Sequence, residues 1–293
     1  METGERQAGE SFMTGDTSGT AGTAGLLERV AASYADTPDP RLRELLQALT
    51  RHLFAFVAET RLTRTEWQQA IEFLTAVGQA CSASHQEFIL LSDVLGVSTL
   101  VEAIDQGPVT TETVGTVLGP VYRADSPERA LGASLIERDD GGARIAVSGS
   151  VRAVDGRAIA DAIVDVWGCA ANGLYPSQDP AQPPANLRGK FRTDAAGRYA
   201  FVTLRPQNYS VPTGGPVGAL LRAARRSPQR AAHLHLWVRA PGYRGVVTHI
   251  FDAASPHLAT DAAFSVSEAL LVPMGDGGAG VTLVRFDVTL AST

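Results

Sequence analysis

The amino-acid sequence predicts a mainly β fold, a β-sandwich preceded by an N-terminal α-helical region. Two observations carry this. Apolar residues follow a helical period up to about Gln106 and a period of two from about Arg144 onward. Beyond that switch, turn-forming residues separate the apolar runs at the spacing of an all-β sandwich. Composition agrees. Of 293 residues, 44% are hydrophobic and 19% charged, enough apolar material for a sizeable core and unlike the low-apolar, high-charge chains that stay disordered.

Residues 1–25 are rich in Gly, Thr, Ser and Ala without apolar period, and are expected to form a disordered tail. Residues 26–120 are expected to be a helical region and linker, and residues 121–293 the sandwich. Leu42, Leu45, Leu46, Leu49 and Leu53 recur at i, i+3, i+4 and i+7, which predicts one buried helix face against this chain or a second copy. Thr63-Arg-Thr-Glu66 reads as a capping box before Trp67, Ile71 and Leu74. Ser84-His-Gln-Glu87 reads as a second box before Phe88-Ile-Leu-Leu91. A short helix from Ser98 through Ile104 ends at Gly107-Pro108.

The strands follow. Arg144-Ile-Ala-Val-Ser-Gly-Ser-Val151 and Ile163-Val-Asp-Val-Trp167 read as strands joined by a turn at Asp155-Gly156. Residues 191–201 read as a hairpin. Residues 233–238, 245–251 and 281–288 supply further strands. Residues 168–190 and 205–230 are Pro- and Gly-rich and read as irregular. Loops that long in a compact domain are usually functional or disordered.

The charge balance of 25 Lys+Arg against 31 Asp+Glu, net −6, argues against non-specific nucleic-acid binding. No apolar run approaches the ~20 residues that span a bilayer. The start lacks a signal-peptide pattern. Two cysteines are too few for a disulfide scaffold, so a cytoplasmic protein is expected.

His233-Leu-His235 opens a strand whose alternation puts both imidazoles on one face, as two nitrogen ligands of a metal require. Alone the pair also fits two packed histidines. A glutamate shortly downstream would suit a cupin-like site, but residues 237–242 contain none. A two-His-one-carboxylate site would need its carboxylate from elsewhere. The remaining oxygen ligand is tyrosine, which at neutral pH ligates only an acid as strong as Fe(III). Each irregular loop holds one, Tyr175 and Tyr209.

At this point the chain resembles the intradiol ring-cleavage dioxygenases. The resemblance runs from about Leu26 to the C-terminus. It rests on Asp165-Val-Trp-Gly, Gly173-Leu-Tyr175, Asn186-Leu-Arg-Gly-Lys-Phe-Arg-Thr-Asp194, Tyr209-Ser-Val-Pro, Gly215-Pro-Val-Gly218, His233-Leu-His235, Ala240-Pro-Gly-Tyr-Arg244 and Val247-Thr-His-Ile-Phe251. It implies a helical dimerisation region, a β-sandwich catalytic domain and a non-haem Fe(III) on Tyr175, Tyr209, His233 and His235. It also implies insertion of both atoms of O2 between the hydroxyl-bearing carbons of an aromatic diol. Tyr209 would leave the metal and take a substrate proton. Arg230 would stabilise negative charge on the ring, although by itself it reads as one more surface arginine beside Arg222, Arg225 and Arg226. A homodimer is implied, with a lipid at its helical interface in some members.

Within that family, His249 and the Phe88-Ile-Leu-Leu-Ser-Asp93 stretch resemble the members that cleave hydroxyquinol, benzene-1,2,4-triol. Leu90, Asp93, Val117, Leu118, Gly119, His249 and Ala263 would then line the substrate pocket. Asp93 would accept the third hydroxyl, which catechol lacks; a buried acceptor left unpaired costs ~1–3 kcal/mol. Asp93 reads equally as a cap residue, and His249 as a core histidine. Arg230-Ala-Ala-His233 departs from the family's usual Arg-Pro-Ala-His, as do Val121 and Gly168-Cys169 from its usual residues. Catechol or chlorocatechol cleavage at the same site, and a non-catalytic sandwich module, are the alternatives.

Overall fold

A computed structural model describes residues 18–82, 85–108, 111–139, 141–275 and 280–293. By its contacts the chain divides into a first unit ending at Glu72 and a second, Phe73–Thr293.

The helices are α1 Ser18–Ala32, α2 Pro40–Thr60 and α3 Arg64–Ala80. Helix α1 begins inside the stretch expected to be a tail; residues 1–17 lie outside the described residues. Asp39 caps α2 by accepting from the Arg41 and Leu42 N–H groups, with Pro40 in the first turn where no N–H is needed. The Thr63–Glu66 box forms: the Thr63 N–H meets Glu66 Oε2 at 2.8 Å, and the Glu66 N–H meets Thr63 Oγ1 at 3.3 Å. Part of the leucine stripe of α2 remains exposed among the described residues. Leu45, Leu49 and Leu53 are about half exposed, at 49%, 56% and 53%.

In the second unit, α4 Glu87–Val94 and α5 Val97–Gln106 precede the strands. The box expected at α4 would pair Ser84 with Glu87. Ser84 lies outside the described residues, and the N-cap Gln86 makes no side-chain cap. The buried Glu87 carboxylate instead accepts the Val217 N–H at 2.9 Å.

The strands are β1 Arg144–Ala153, β2 Ile163–Trp167, β3 Arg188–Arg192, β4 Arg198–Leu204, β5 Tyr209–Ser210, β6 Gln229–Arg230, β7 His233–Arg239, β8 Val246–Asp252, β9 Leu271–Val272, β10 Thr282–Arg285 and β11 Val288–Leu290. One sheet runs β3-β2-β7-β8-β9. In the other, β1 pairs antiparallel with β4 on one side and parallel with β10 and then β11 on the other. The sheets pack through Ile145, Val147 and Val151 against Val164, Val166, Leu234, Leu236, Val238 and Ile250.

Three expectations are corrected. The turn at Asp155-Gly156 and the segment 193–197 do not join hairpin partners. Each carries the chain from one sheet to the other, so β1 and β2, like β3 and β4, lie in different layers. Thr193 explains the second crossing: its Oγ1 donates to the Ile159 carbonyl and accepts from the Ala162 N–H, bending the chain away from its predecessor. Phe191 and Phe201 then stack across the core at 5.3 Å. The run 281–288 is split at Phe286-Asp287, where the Asp287 carboxylate takes the Ser150 N–H at 2.8 Å in place of a backbone acceptor. Gly149 is required there, because a Cβ would stand 1.7 Å from the Phe286 carbonyl oxygen. Finally, residues 205–230 are not wholly irregular: they contain α6 Pro216–Ala223 and the β5–β6 pair. Among the described residues no helix is long and apolar enough to cross a membrane.

Candidate active site

Alternation along the five-stranded sheet builds the site. Leu234, Leu236 and Val238 of β7 face the core, so His233, His235 and Trp237 face the opposite side. Trp167 of β2 stands opposite His235 in the ladder, and His249 of β8 stands opposite it on the other side. The Trp167 ring stacks on His235 with centroids 4.7 Å apart and planes 12° apart. Gly119 lies beside the edge of the same ring, where a Cβ would come within 3.3 Å of His235 Cε1.

Two loops cover this face. Tyr175 follows a tight turn at Gly173, held by the Ala170 N–H on the Leu174 carbonyl and by the Gln178 side chain on the Tyr175 N–H. Tyr209 enters on β5, opposite Arg230 of β6. Asn208 anchors it, its Oδ1 accepting from the Ala232 N–H and from Ser255 Oγ. The two tyrosine rings meet edge to face at 5.4 Å.

The polar atoms converge. His233 Nε2 lies 3.1 Å from His235 Nε2 and 3.5 Å from Tyr209 Oη. His233 Nδ1 lies 2.6 Å from the Ala231 carbonyl oxygen, so it carries the proton and Nε2 keeps its lone pair. Tyr175 Oη is buried and has no hydrogen-bond partner among the described residues. An orphaned hydroxyl beside two imidazoles suits a ligand position better than a packing position. One ligand nitrogen from each of His233, His235 and His249 falls within 4.8 Å of the others, a cluster able to hold a metal ion. They do not share one focus, because His249 Nε2 meets the far nitrogen of His235, Nδ1, at 2.9 Å.

Burial dominates the electrostatics. It holds all three imidazoles neutral, with the Arg230 charge adding to the effect. It raises both phenols, Tyr175 furthest, where the neighbouring Tyr209 adds to burial; for Tyr209 the Arg230 charge opposes it. Burial would discharge Arg230, but Tyr209 and Asp261 outweigh it, and the guanidinium stays charged. Arg230 is no surface arginine: it is 3% exposed and paired with Asp261. Its neighbours turn elsewhere, Arg222 to the Thr213 carbonyl and Arg226 to the Val94 and Ala262 carbonyls.

A cleft of about 310 Å³ adjoins the cluster. Asp93, Val117, Leu118 and Gly119 line it with Ile89, Ser92, Ser98 and Val101. Gly119 connects it to His235, and Leu118 packs on the Trp167–Tyr175 group. Asp93 Oδ1 is buried without a partner among the described residues, and burial raises the carboxyl. The remaining expected pocket residues lie off the cleft wall. Leu90 is buried among Val77, Leu91, Val94 and Leu221; Ala263 is buried and gives its carbonyl to Thr99; His249 sits behind His235. Sequence reasoning missed Asp261, Ser265, Asn208 and the stacking role of Trp167. A larger groove, about 560 Å³, lies on the four-stranded sheet, where Arg198 pairs with Asp194 and Arg285 with Asp287.

Residues 117–292 match the family described as Dioxygenase, and residues 39–112 the one described as Catechol dioxygenase N terminus. The chain is 46% identical over 245 residues to the hydroxyquinol 1,2-dioxygenase of Rhizobium sp. (strain MTP-10005), covering 83% of each. It is 34% identical over 248 residues to the catechol 1,2-dioxygenase of Candida albicans, covering 84% of this chain and 82% of that one. The solved structure of hydroxyquinol 1,2-dioxygenase from Pseudomonas putida DLL-E4 superposes with a TM-score of 0.86 at 41% identity, covering 94% of this chain and 100% of that one. With matches spanning both the helical region and the sandwich, and with the converging histidines and tyrosines described above, the chain belongs to the intradiol ring-cleavage dioxygenases.

Proposed function

We propose that the chain cleaves hydroxyquinol with O2 between its adjacent hydroxyl-bearing carbons, giving 3-hydroxy-cis,cis-muconate, the enol form of maleylacetate. A non-haem Fe(III) held by Tyr175, Tyr209, His233 and His235 serves the reaction. The observation that carries the substrate is Asp93, a buried, unpartnered carboxylate oxygen on the cleft beside His235. A third ring hydroxyl would pair with it, and catechol would leave it unpaired. The relatives named for hydroxyquinol support the same reading.

The donor set fits the ion. Two imidazoles kept neutral by burial offer lone pairs, and two phenols whose burial retains their protons yield them only to a strong Lewis acid. Iron(III) would supply that acidity to the phenols and to the diol. Tyr175 is locked among Trp167 and Cys169, whereas Tyr209 is only partly buried on a two-residue strand. That difference supports Tyr209 as the phenol that would leave the metal and take a substrate proton. Arg230, charged and opposite Tyr209, holds negative charge on the ring.

The half-exposed Leu45, Leu49 and Leu53 of α2 support a second copy of this chain as partner. A lipid at that interface rests on the family resemblance alone. A cytoplasmic location rests on the composition and on Cys81 and Cys169, both unpaired.

Oxygen uptake by iron-loaded protein with hydroxyquinol, catechol and 4-chlorocatechol tests the substrate. Hydroxyquinol is expected to give the highest kcat/KM, and faster turnover of catechol would overturn the assignment.

A further inference from the structure

We infer that His249 is a positioning residue for His235, and that the three histidines form a proton relay whose direction decides whether the two Nε2 atoms that face the cation are free of protons. The inference rests on the reading that His233 and His235 are ligands.

The chain of contacts is continuous. His249 Nε2 meets His235 Nδ1 at 2.9 Å, His235 Nε2 meets His233 Nε2 at 3.1 Å, and His233 Nδ1 meets the Ala231 carbonyl at 2.6 Å. A carbonyl only accepts, so the proton of neutral His233 is on Nδ1. Each of the two nitrogen–nitrogen contacts then needs one proton. Without a cation, His235 donates from Nε2 to His233, and His249 donates from Nε2 to His235. With a cation between the two Nε2 atoms, neither can carry a proton. The His235 proton must then sit on Nδ1 and be accepted by His249 Nε2, which moves the His249 proton to Nδ1. His249 Nδ1, which receives that proton, is buried without a hydrogen-bond partner among the described residues. Every ring keeps one proton in both states, so the relay is neutral and only the tautomers change.

Ring rotation does not offer another route. A 180° flip of His235 would put a carbon where each nitrogen now stands, losing both the 2.9 Å contact to His249 and the 3.1 Å contact to His233. The residue at 249 must therefore accept a hydrogen bond for His235 to present its lone pair. His249 thus acts on the metal through His235, and it does not line the cleft.

Protein labelled with 15N-histidine, metal-free and then loaded with Ga(III) as a diamagnetic trivalent probe, tests this by long-range 15N–1H correlation. Loading is expected to move the proton from Nε2 to Nδ1 on both His235 and His249. His249→Gln, whose amide oxygen can accept, should bind Ga(III) within a few-fold of the parent, while His249→Leu, which cannot, should bind about 10–100-fold more weakly. Thermal melting establishes that His249→Leu is folded before titration; if it is not, the tautomers of the parent and of His249→Gln decide. A loaded protein in which His235 keeps its proton on Nε2, or a folded His249→Leu that binds as tightly as the parent, overturns the relay while leaving the ligand set standing. A parent that takes up no Ga(III) or Fe(III) overturns both.

Discussion

Arg230 Nε lies 2.8 Å from Asp261 Oδ1, with both side chains buried, and the same carboxylate oxygen accepts the Ala231 N–H at 3.0 Å. Ser265 Oγ accepts from Arg230 Nη2 at 2.7 Å. Asp261 thus aims the guanidinium that faces the tyrosines and balances its charge. Asp261→Ala is expected to lower stability by about 3–5 kcal/mol, because it leaves a buried cation unpaired. It should also lower turnover. Urea unfolding measures the first effect, and a loss under 1 kcal/mol would mean the pair is not buried as described.

The same pair makes a pH prediction. Burial pushes the Asp261 carboxyl up, but the Arg230 charge and hydrogen bond outweigh it, and the group ends below its ordinary value of 3.8. A carboxyl lowered in the folded state stabilises above its unfolded value and loses that contribution as pH falls through the folded one. The stability gap between the parent and Asp261→Asn should be full at neutral pH and shrink below about pH 4. A gap that widens on acidification has the wrong sign for this arrangement.

Asp93→Ala should reduce preference more than catalysis. Losing a buried acceptor for the third hydroxyl is worth ~1–3 kcal/mol, so the hydroxyquinol-to-catechol ratio of kcat/KM should fall about 5–150-fold. Parallel oxygen-uptake assays read the ratio, and an unchanged ratio removes Asp93 from substrate selection.

Iron-loaded protein should be red-brown from tyrosinate-to-iron charge transfer, and a chelator should bleach it. Tyr209→Phe should shift that band and lower turnover by about 100-fold or more, the range of a lost acid–base group. Visible spectra taken with the kinetics check both. A colourless, inactive protein after iron loading would remove the proposed metal centre.

Gly149→Ala tests the parallel edge of the second sheet. Its Cβ would meet the Phe286 carbonyl oxygen at 1.7 Å, so β10 and β11 must move or separate from β1. Destabilisation on the order of 3 kcal/mol is expected in thermal or urea melts. A variant as stable as the parent would contradict the pairing.

Much of the site was legible in local pattern. His233 and His235 share a face because strand side chains alternate, and Tyr175 and Tyr209 stood out as the oxygen donors of the two irregular loops. Helix α6 was less legible. Gly215-Pro216 with Val217, Leu220 and Leu221 carries a start signal and a short apolar stripe, but the surrounding prolines and glycines masked an eight-residue helix. Glu87 looked like half of a box on its own helix, yet it caps α6, which is 130 positions away.

Residue order alone determines where helix gives way to strand and which side chains share a strand face, because both follow from backbone periods that neighbouring residues express together. It does not determine which strands pair. Two turns that looked like hairpins cross between layers, since the better partner for each strand, β4 for β1 and β7 for β2, lies across the fold. Folding likewise decides that Asp261 holds Arg230, that Trp167 stacks on His235, and that His249 stands behind that ring. Those contacts join residues distant in sequence, and no local period encodes them.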